Sequence, residues 1–262
     1  GIIKPGAHVV CAPQEEEARH VIETTCVERG VPLVAVGREL TWEVVGRSVE
    51  GQDVRVRGVR GERLVHIPLA GSYQAENAAT ALAALDTLRC RGTTLGDECV
   101  GRGMRGTVWP GRFQVLARSP LLVLDGAHTP ASMRRLAESV ALLRRGGDVV
   151  FVLGFSGDKD VRGSVAELSL LGGRFVLTRS RQPRALAPSD IAGRINALGL
   201  VVSSAPDPVV ALRRARHMVQ ANGVVVVAGS LYLVGEALQG WIEDRKSEEH
   251  WAMGPAVAGP LR

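Results

Sequence analysis

Short apolar runs recur along the second half of this chain, and helical patterns separate them. Leu121–Leu124 is the first run, and Met133, Leu136 and Val140 follow it at the spacing of one helix face. Buried strands of a parallel sheet have this continuous apolar character, and helices cross between them. We therefore predict an α/β fold with a mainly parallel sheet, whose strands lie at 121–124, 149–153, 175–177, 200–202 and 224–227.

The first half of the chain carries a different pattern, in which three segments alternate apolar and polar residues. Such alternation, broken by glycines, is typical of antiparallel hairpins. The predicted order is strand, helix, strand, three hairpin strands and two helices, at 9–12, 15–28, 33–36, 42–49, 53–57, 63–67, 73–91 and 95–104. The helix at 73–91 should bury Ala78, Ala81, Leu82, Leu85 and Leu88.

The change between the two patterns falls at Thr107–Gly111, so we predict domains at 1–109 and 110–253. Residues 254–262 should form a disordered tail. Gly101–Gly106 reads Gly-x-Gly-x-x-Gly, which suggests a dinucleotide site. It follows a helical segment instead of a strand, and the Pro at 110 prevents a long helix after it, so we interpret it as a glycine-rich linker.

Composition narrows the class of protein. The chain has 262 residues, 45% of them hydrophobic and 4% aromatic, and no apolar run is long enough to cross a bilayer. Its four cysteines are scattered without metal-ligand spacing, which favours reduced thiols and a cytoplasmic location. The net charge of +5 is compatible with small anionic substrates, and no basic stripe interleaved with aromatics points to nucleic acid.

The segment Asp125–Pro130 combines reactive side chains with the features of a ligand site. Asp125 follows the strand at 121–124, and Thr129 and Pro130 suit the N-cap and first residue of a helix. Asp125 and His128 should therefore lie at the carboxyl end of a strand and at a helix N-terminus, where open α/β sheets bind ligands and phosphates. A simple capping and turning role for both residues is the alternative.

Four further segments accompany this one in a fixed order, so that the set is 71–85, 110–112, 125–130, 154–160 and 226–236. Together they resemble the folylpolyglutamate synthase/dihydrofolate synthase family of the Mur ligase superfamily. The opening residues 1–6 resemble the stretch just after that family's metal-binding lysine. The resemblance implies the end of a central ATPase domain over 1–109, followed by a Rossmann-like C-terminal domain. No Gly-x-x-x-x-Gly-Lys-Ser/Thr loop occurs, so we expect the P-loop and metal ligands before Gly1.

The same resemblance assigns residues to an ATP site. It implies that Asn77 contacts the adenine end, that Arg112 contacts a phosphate, and that Asp125 contacts the ribose or base. His128 would lie near the phosphates with a catalytic role. The structural alternatives are a local cap for Asn77, which shares a helix face with Gln74, and an interdomain salt bridge for Arg112.

Lys159 and Ser230 both follow predicted strands, and in the wider superfamily such positions hold the carboxylates of the incoming amino acid. We assign them to glutamate, with a catalytic role for Lys159; a solvated lysine and a plain N-cap serine are the alternatives. Where the family's motif has Asn, this chain has Thr129, which preserves the helix cap but supplies no amide.

The resemblance implies a monomeric, Mg²⁺-dependent ligase that uses ATP to join L-glutamate to a folate through an acyl phosphate, with no nucleic-acid or membrane partner. Residues 1–262 alone should be inactive. Two alternatives remain open. One is a ligase of the same superfamily that acts on a muramyl peptide or a cyanophycin-like substrate, and the other is a non-catalytic nucleotide-binding chain.

Overall fold

The computed structural model describes residues 1–252, with side chains through residue 246, so the tail predicted at 254–262 lies outside the described residues. The chain divides into two compact units, Gly1–Trp109 and Pro110–Arg262. The Thr107–Gly111 segment spans this division. Each unit has its own sheets and helices and is described separately below.

The first unit contains a parallel pair of strands and an antiparallel three-stranded sheet. The three antiparallel strands confirm the hairpins expected from the alternating pattern. Its elements are β1 (Val9–Cys11), α1 (Glu16–Glu28), β2 (Leu33–Ala35), β3 (Thr41–Ser48), β4 (Gly51–Gly58), β5 (Gly61–Ile67), α2 (Gln74–Cys90) and α3 (Asp97–Arg105).

Helix α2 buries a different stripe from the one that we predicted. Ala78 and Leu82 are buried as expected, but Ala81 and Leu88 are exposed and Leu85 is only half-buried. The buried stripe instead consists of Ala75, Ala78, Ala79, Leu82 and Ala83, with Asp86, and its apolar members share one core with residues of β4 and β5. Apolar residues occur on most sides of this helix, so their spacing in the sequence does not identify a single buried face.

The second unit is built on a six-stranded sheet, and this confirms the predicted α/β fold. The strand order is β10-β9-β8-β11-β7-β6, and all neighbours are parallel except the edge pair β6–β7. The elements are β6 (Gln114–Arg118), β7 (Leu121–Leu124), α4 (Pro130–Leu143), β8 (Val149–Leu153), α5 (Val161–Ser169), β9 (Arg174–Leu177), α6 (Pro188–Ile195), β10 (Val202–Ser204), α7 (Pro208–His217), β11 (Val224–Ala228) and α8 (Leu231–Ala252).

Two edge strands differ from the sequence expectation. The predicted strand at 200–202 begins two residues later, as β10, because Gly199 at φ 63° first ends a helical turn. Strand β6 was not predicted, since its residues are half-buried and carry no apolar run. Both strands pair on one side only, so neither has the continuous apolar sequence of a central strand.

Both faces of this sheet are covered. One face presents Leu122, Val150 and Val225 to α7 and α8, whose Leu212 and Ala237 are buried against it. The alternate strand residues are also buried, and α4, α5 and α6 pack in sequence with one another to cover them. The chain therefore leaves β7 and β8 toward one face and leaves β11, which lies between them, toward the other. A crevice at the carboxyl ends of β8, β11 and β7 follows from this topology.

Candidate functional site

Asp125 lies at the carboxyl end of β7 and is almost completely buried, with 2% of its surface exposed. Its Oδ2 accepts a hydrogen bond from the Phe113 amide at 2.8 Å, and its Oδ1 accepts one from the Ala127 amide at 2.7 Å. The Gly126 amide also donates to the Gly111 carbonyl at 2.8 Å. Asp125 thus holds the Gly111–Phe113 segment, which contains Arg112, against the end of the sheet.

The backbone of this held segment is unusual. Phe113 has φ of 45°, the one positive φ of a non-glycine residue among the described residues, and its side chain is buried. Such a conformation costs of order 1–3 kcal/mol and persists only where its surroundings enforce it. The Asp125 carboxylate, which accepts from the Phe113 amide, provides that restraint. Within the described part of the chain, the Arg112 guanidinium has no hydrogen bond or ion pair and is half-buried.

His128 follows in the turn between β7 and α4 and is half-buried. Its Nδ1 lies 2.8 Å from the Gly126 carbonyl oxygen. Because a carbonyl can only accept, Nδ1 carries the proton, and Nε2 is the acceptor of the neutral ring. Thr129 confirms the predicted N-cap: its Oγ1 accepts from the Ser132 amide, and Ser132 Oγ accepts from the Thr129 amide.

Lys159 lies in the loop between β8 and α5, and its side chain is 32% exposed. Its Nζ is 3.0 Å from Asp158 Oδ2, and this hydrogen bond lowers the pKa of the Asp158 carboxyl below its ordinary value. The next residue, Asp160, caps α5 by accepting from the Gly163 amide at 2.9 Å. The ammonium is therefore held near a helix N-terminus by a partner that is itself mostly exposed.

Ser230 is the residue before α8, and its Oγ accepts from the Tyr232 amide at 3.2 Å, as an N-cap does. The preceding Gly229 has φ of 108° and donates its amide to the Ala127 carbonyl at 2.7 Å. A Cβ on Gly229 would lie 2.5 Å from the Gly154 carbonyl oxygen. The ends of β7, β8 and β11 thus touch through their backbones. They bring the loops of His128, Lys159 and Ser230 together.

A fourth loop, which sequence reasoning missed, joins this edge of the sheet. Residues 178–187 follow β9 and pair with the Lys159 loop through two backbone hydrogen bonds. The Gly157 amide donates to the Arg184 carbonyl at 3.1 Å, and the Leu186 amide donates to the Phe155 carbonyl at 2.8 Å. The Arg184 charge contributes to the lowered pKa of Asp158. The available signal was three arginines after a strand end, at 179, 181 and 184.

Asn77 belongs to the first unit, and its Nδ2 donates a hydrogen bond to Gln74 Oε1 at 3.0 Å. The pair confirms that the two residues share a face of α2. In the described residues, no group of three or more His, Cys, Asp or Glu side chains is arranged to hold a metal ion. No helix in the same part of the chain is both long and apolar enough to cross a membrane.

The loops described above fall within a known domain family, because residues 111–231 match the model for the Mur ligase glutamate ligase domain. The second unit is therefore a Mur ligase C-terminal domain. The similarity to named ligases extends beyond this domain into the rest of the chain. A probable bifunctional folylpolyglutamate synthase/dihydropteroate synthase from Haloferax volcanii is 35% identical over 181 residues, which are 68% of this chain and 21% of that protein.

Solved structures give the same result. Folylpolyglutamate synthase from Mycobacterium tuberculosis, complexed with ADP, has a TM-score of 0.79 at 27% identity and is matched by 88% of this chain. A bifunctional folylpolyglutamate synthase/dihydrofolate synthase from Yersinia pestis, complexed with AMPPNP and manganese, has a TM-score of 0.77 at 26% identity. Over the compared residues, this chain is therefore similar to the folylpolyglutamate synthase/dihydrofolate synthase family. It covers 54% and 55% of these two structures.

Proposed function

We propose that this chain acts as part of an ATP-dependent ligase that adds L-glutamate to a folate. The observation that supports this most directly is the position of the glutamate ligase domain match. Residues 111–231 include all four loops at the carboxyl edge of the sheet and end at Leu231, the first residue of α8. These loops carry Lys159, Arg184 and Ser230 beside the His128 turn, so two cations and a hydroxyl are available for a dicarboxylic amino acid.

Glutamate would bind through its carboxylates at the loops after β8, β9 and β11. We assign the Lys159 ammonium and the Arg184 guanidinium to its two charges, and the Ser230 hydroxyl to an additional hydrogen bond. The Lys159 pair with Asp158 is on the protein surface and costs little to exchange for a substrate carboxylate. The substrate amine would then lie over the crevice, where the β7 loop carries the phosphate-binding groups.

The nucleotide phosphates would bind at the β7 end of the same edge. Arg112 offers a planar guanidinium with no protein partner among the described residues, and His128 Nε2 can donate to an anion when the ring is protonated. We propose that Asp125 contributes by holding Arg112, in addition to the contact with ribose or base that the resemblance implies. Asn77 is proposed for the adenine end from the first unit.

The proposed reaction has two steps. ATP phosphorylates a folate carboxyl group to give an acyl phosphate, and the glutamate amine displaces phosphate to form an amide. The relatives in complex with ADP, or with AMPPNP and manganese, support the use of ATP with a divalent ion, for which we propose Mg²⁺. We assign no residue of this chain to the ion. The protein is further proposed to act as a cytoplasmic monomer.

One relative supports an alternative acceptor. A UDP-N-acetylmuramyl-tripeptide synthetase from Leifsonia xyli is 28% identical over 243 residues. The two acceptors can be separated by measuring ADP formation by the full-length protein with ATP and glutamate, in the presence of either a folate or a UDP-muramyl peptide. Glutamate-dependent turnover with the folate only is expected. Turnover with the muramyl acceptor only, or with neither, would overturn the folate assignment.

A further inference from the structure

Helix α8 makes a contact that the proposed reaction has not used. The Glu236 carboxylate, in the second turn of the helix, accepts a hydrogen bond through Oε1 from the Arg181 backbone amide at 2.8 Å. The two residues are 55 positions apart in the chain. Arg181 lies in the middle of the β9 loop, between Arg179 and Arg184, and its side chain is exposed. The carboxylate is therefore bound to the backbone of a loop rather than to any of its three guanidinium groups in this contact.

The loop that Glu236 holds is itself attached to the Lys159 loop. The Gly157 amide donates to the Arg184 carbonyl, the Leu186 amide donates to the Phe155 carbonyl, and Ser156 and Ala185 form an isolated bridge. These contacts align the two loops but place no restraint on how far the arginine turn, 179–184, lies from α8. Glu236 supplies that restraint, because its partner amide is inside this turn.

The same helix fixes the other side of the site. Ser230 is the residue before its first turn, and Leu233 packs so closely on the start of the Lys159 loop that a Cβ on Gly154 would lie 3.0 Å from Leu233 Cδ1. Leu233 and Glu236 are three positions apart and so share a face of the helix. One rigid helix therefore contacts the loops after β8 and β9 and begins at the serine after β11.

We propose that Glu236 is a positioning residue for glutamate, which holds the 179–184 turn so that Arg184 and Lys159 face the same substrate carboxylates as Ser230. This inference rests on the proposed function, since it names a further residue of the same glutamate site. Glu236 does not contact the substrate. Its loss should weaken glutamate binding through Arg184 while the ATP groups on the β7 loop keep their positions.

The test uses the full-length protein with Glu236→Ala, Glu236→Gln and a control, Glu243→Ala. Glu243 is an exposed carboxylate of the same helix that accepts a hydrogen bond from Gln239, in the preceding turn. We expect Glu236→Ala to raise the KM for glutamate about ten-fold and to leave the KM for ATP within about two-fold, because the charge-assisted hydrogen bond that holds the arginine turn is lost. Glu236→Gln should restore most of the affinity, since its amide oxygen accepts from the same N–H.

Hydrogen exchange gives a second measurement that does not depend on turnover. In Glu236→Ala, amide exchange of residues 178–186 should accelerate, while exchange in β7 and α4 stays unchanged. Faster exchange with an unchanged KM for glutamate would overturn the positioning role, and unchanged exchange would overturn the restraint itself. If the wild-type protein shows no glutamate-dependent turnover, the proposed function fails, and the exchange result still decides whether Glu236 restrains the loop. If Glu236→Ala does not fold, the same comparison is made with Glu236→Gln, whose KM for glutamate should rise less but still more than its KM for ATP. Equal rises in the KM of both substrates would refute the proposal.

Discussion

Replacing Asp125 by Ala tests whether this carboxylate supports the structure of the site as well as its ligand. The substitution removes two hydrogen bonds, from the Phe113 amide at 2.8 Å and from the Ala127 amide at 2.7 Å. Each charge-assisted bond is worth about 1.5–3 kcal/mol, so the loss is about 3–6 kcal/mol. Release of Phe113 from its positive φ returns about 1–3 kcal/mol. The midpoints of these two ranges differ by about 2.5 kcal/mol, and this expected net loss is a large part of the 5–15 kcal/mol typical of a folded protein.

Urea unfolding with pulse-labelling hydrogen exchange measures this loss in each unit separately. At a slope of about 2 kcal/mol per molar urea, the urea midpoint for β7 and α4 should fall by about 1 M. The midpoint for β3–β5, which belong to the other unit, should not move. Asp148→Asn is the matched control, because the Asp148 side chain is 68% exposed and its carboxylate pairs with Arg174 at the surface, at 2.9 Å.

The outcome also separates two roles for Asp125 in the full-length protein. If the carboxylate holds Arg112 in place, the KM for ATP should rise together with the loss of stability. A midpoint for Asp125→Ala that matches the Asp148→Asn control would refute the structural role. A lowered midpoint with an unchanged KM for ATP would refute the role in the nucleotide site.

The remaining predictions concern glutamate, phosphate release and pH. In the full-length protein, Lys159→Ala should weaken glutamate binding by about 1.5–3 kcal/mol and Ser230→Ala by about 0.5–1.5 kcal/mol. Both substitutions should raise the KM for glutamate more than the KM for ATP. Equal effects on both substrates would show that the loop is misassigned. Residues 1–262 alone should release no phosphate from ATP and glutamate above a heat-treated control, and clear release would contradict this. The Arg89 hydrogen bond lowers the pKa of Asp97, so its stabilisation is present above the unfolded-state pKa and is lost as pH falls through the lower folded-state value. The urea midpoint of wild type should therefore exceed that of Asp97→Asn at pH 6, and the difference should shrink as the pH falls below the ordinary Asp pKa of about 3.9. A constant difference would exclude this linkage.

Local signals in the sequence were sufficient for several parts of the site. The apolar runs located β7, β8 and β11, and the residues after them fixed Asp125, Lys159 and Ser230 at strand ends. These features depend on near neighbours, since a strand end and an N-cap are set by a few consecutive residues. The Thr129 cap was predicted for the same reason.

The sequence alone did not specify which groups meet at those strand ends. Strand β11 is about seventy residues or more from its partners β7 and β8, yet it lies between them and so brings Gly229 against Ala127 and Gly154. Pairing across such distances depends on the whole sheet, and no local pattern encodes it. Helix α2 shows a similar limit, because apolar residues on most of its surface are compatible with more than one buried face.

The sequence determined which residues could carry chemistry, and the tertiary structure decided how each one is used. Asp125 and Glu236 illustrate the difference. From the sequence, both carboxylates are equally able to bind a ligand or a cation. In the folded chain, each accepts a hydrogen bond from the backbone amide of a separate segment. Both contacts join segments that are separated in the chain, so they form only when the sheet has brought those segments together. Long-range packing therefore decided which acidic groups support the site and which cations remain for a substrate.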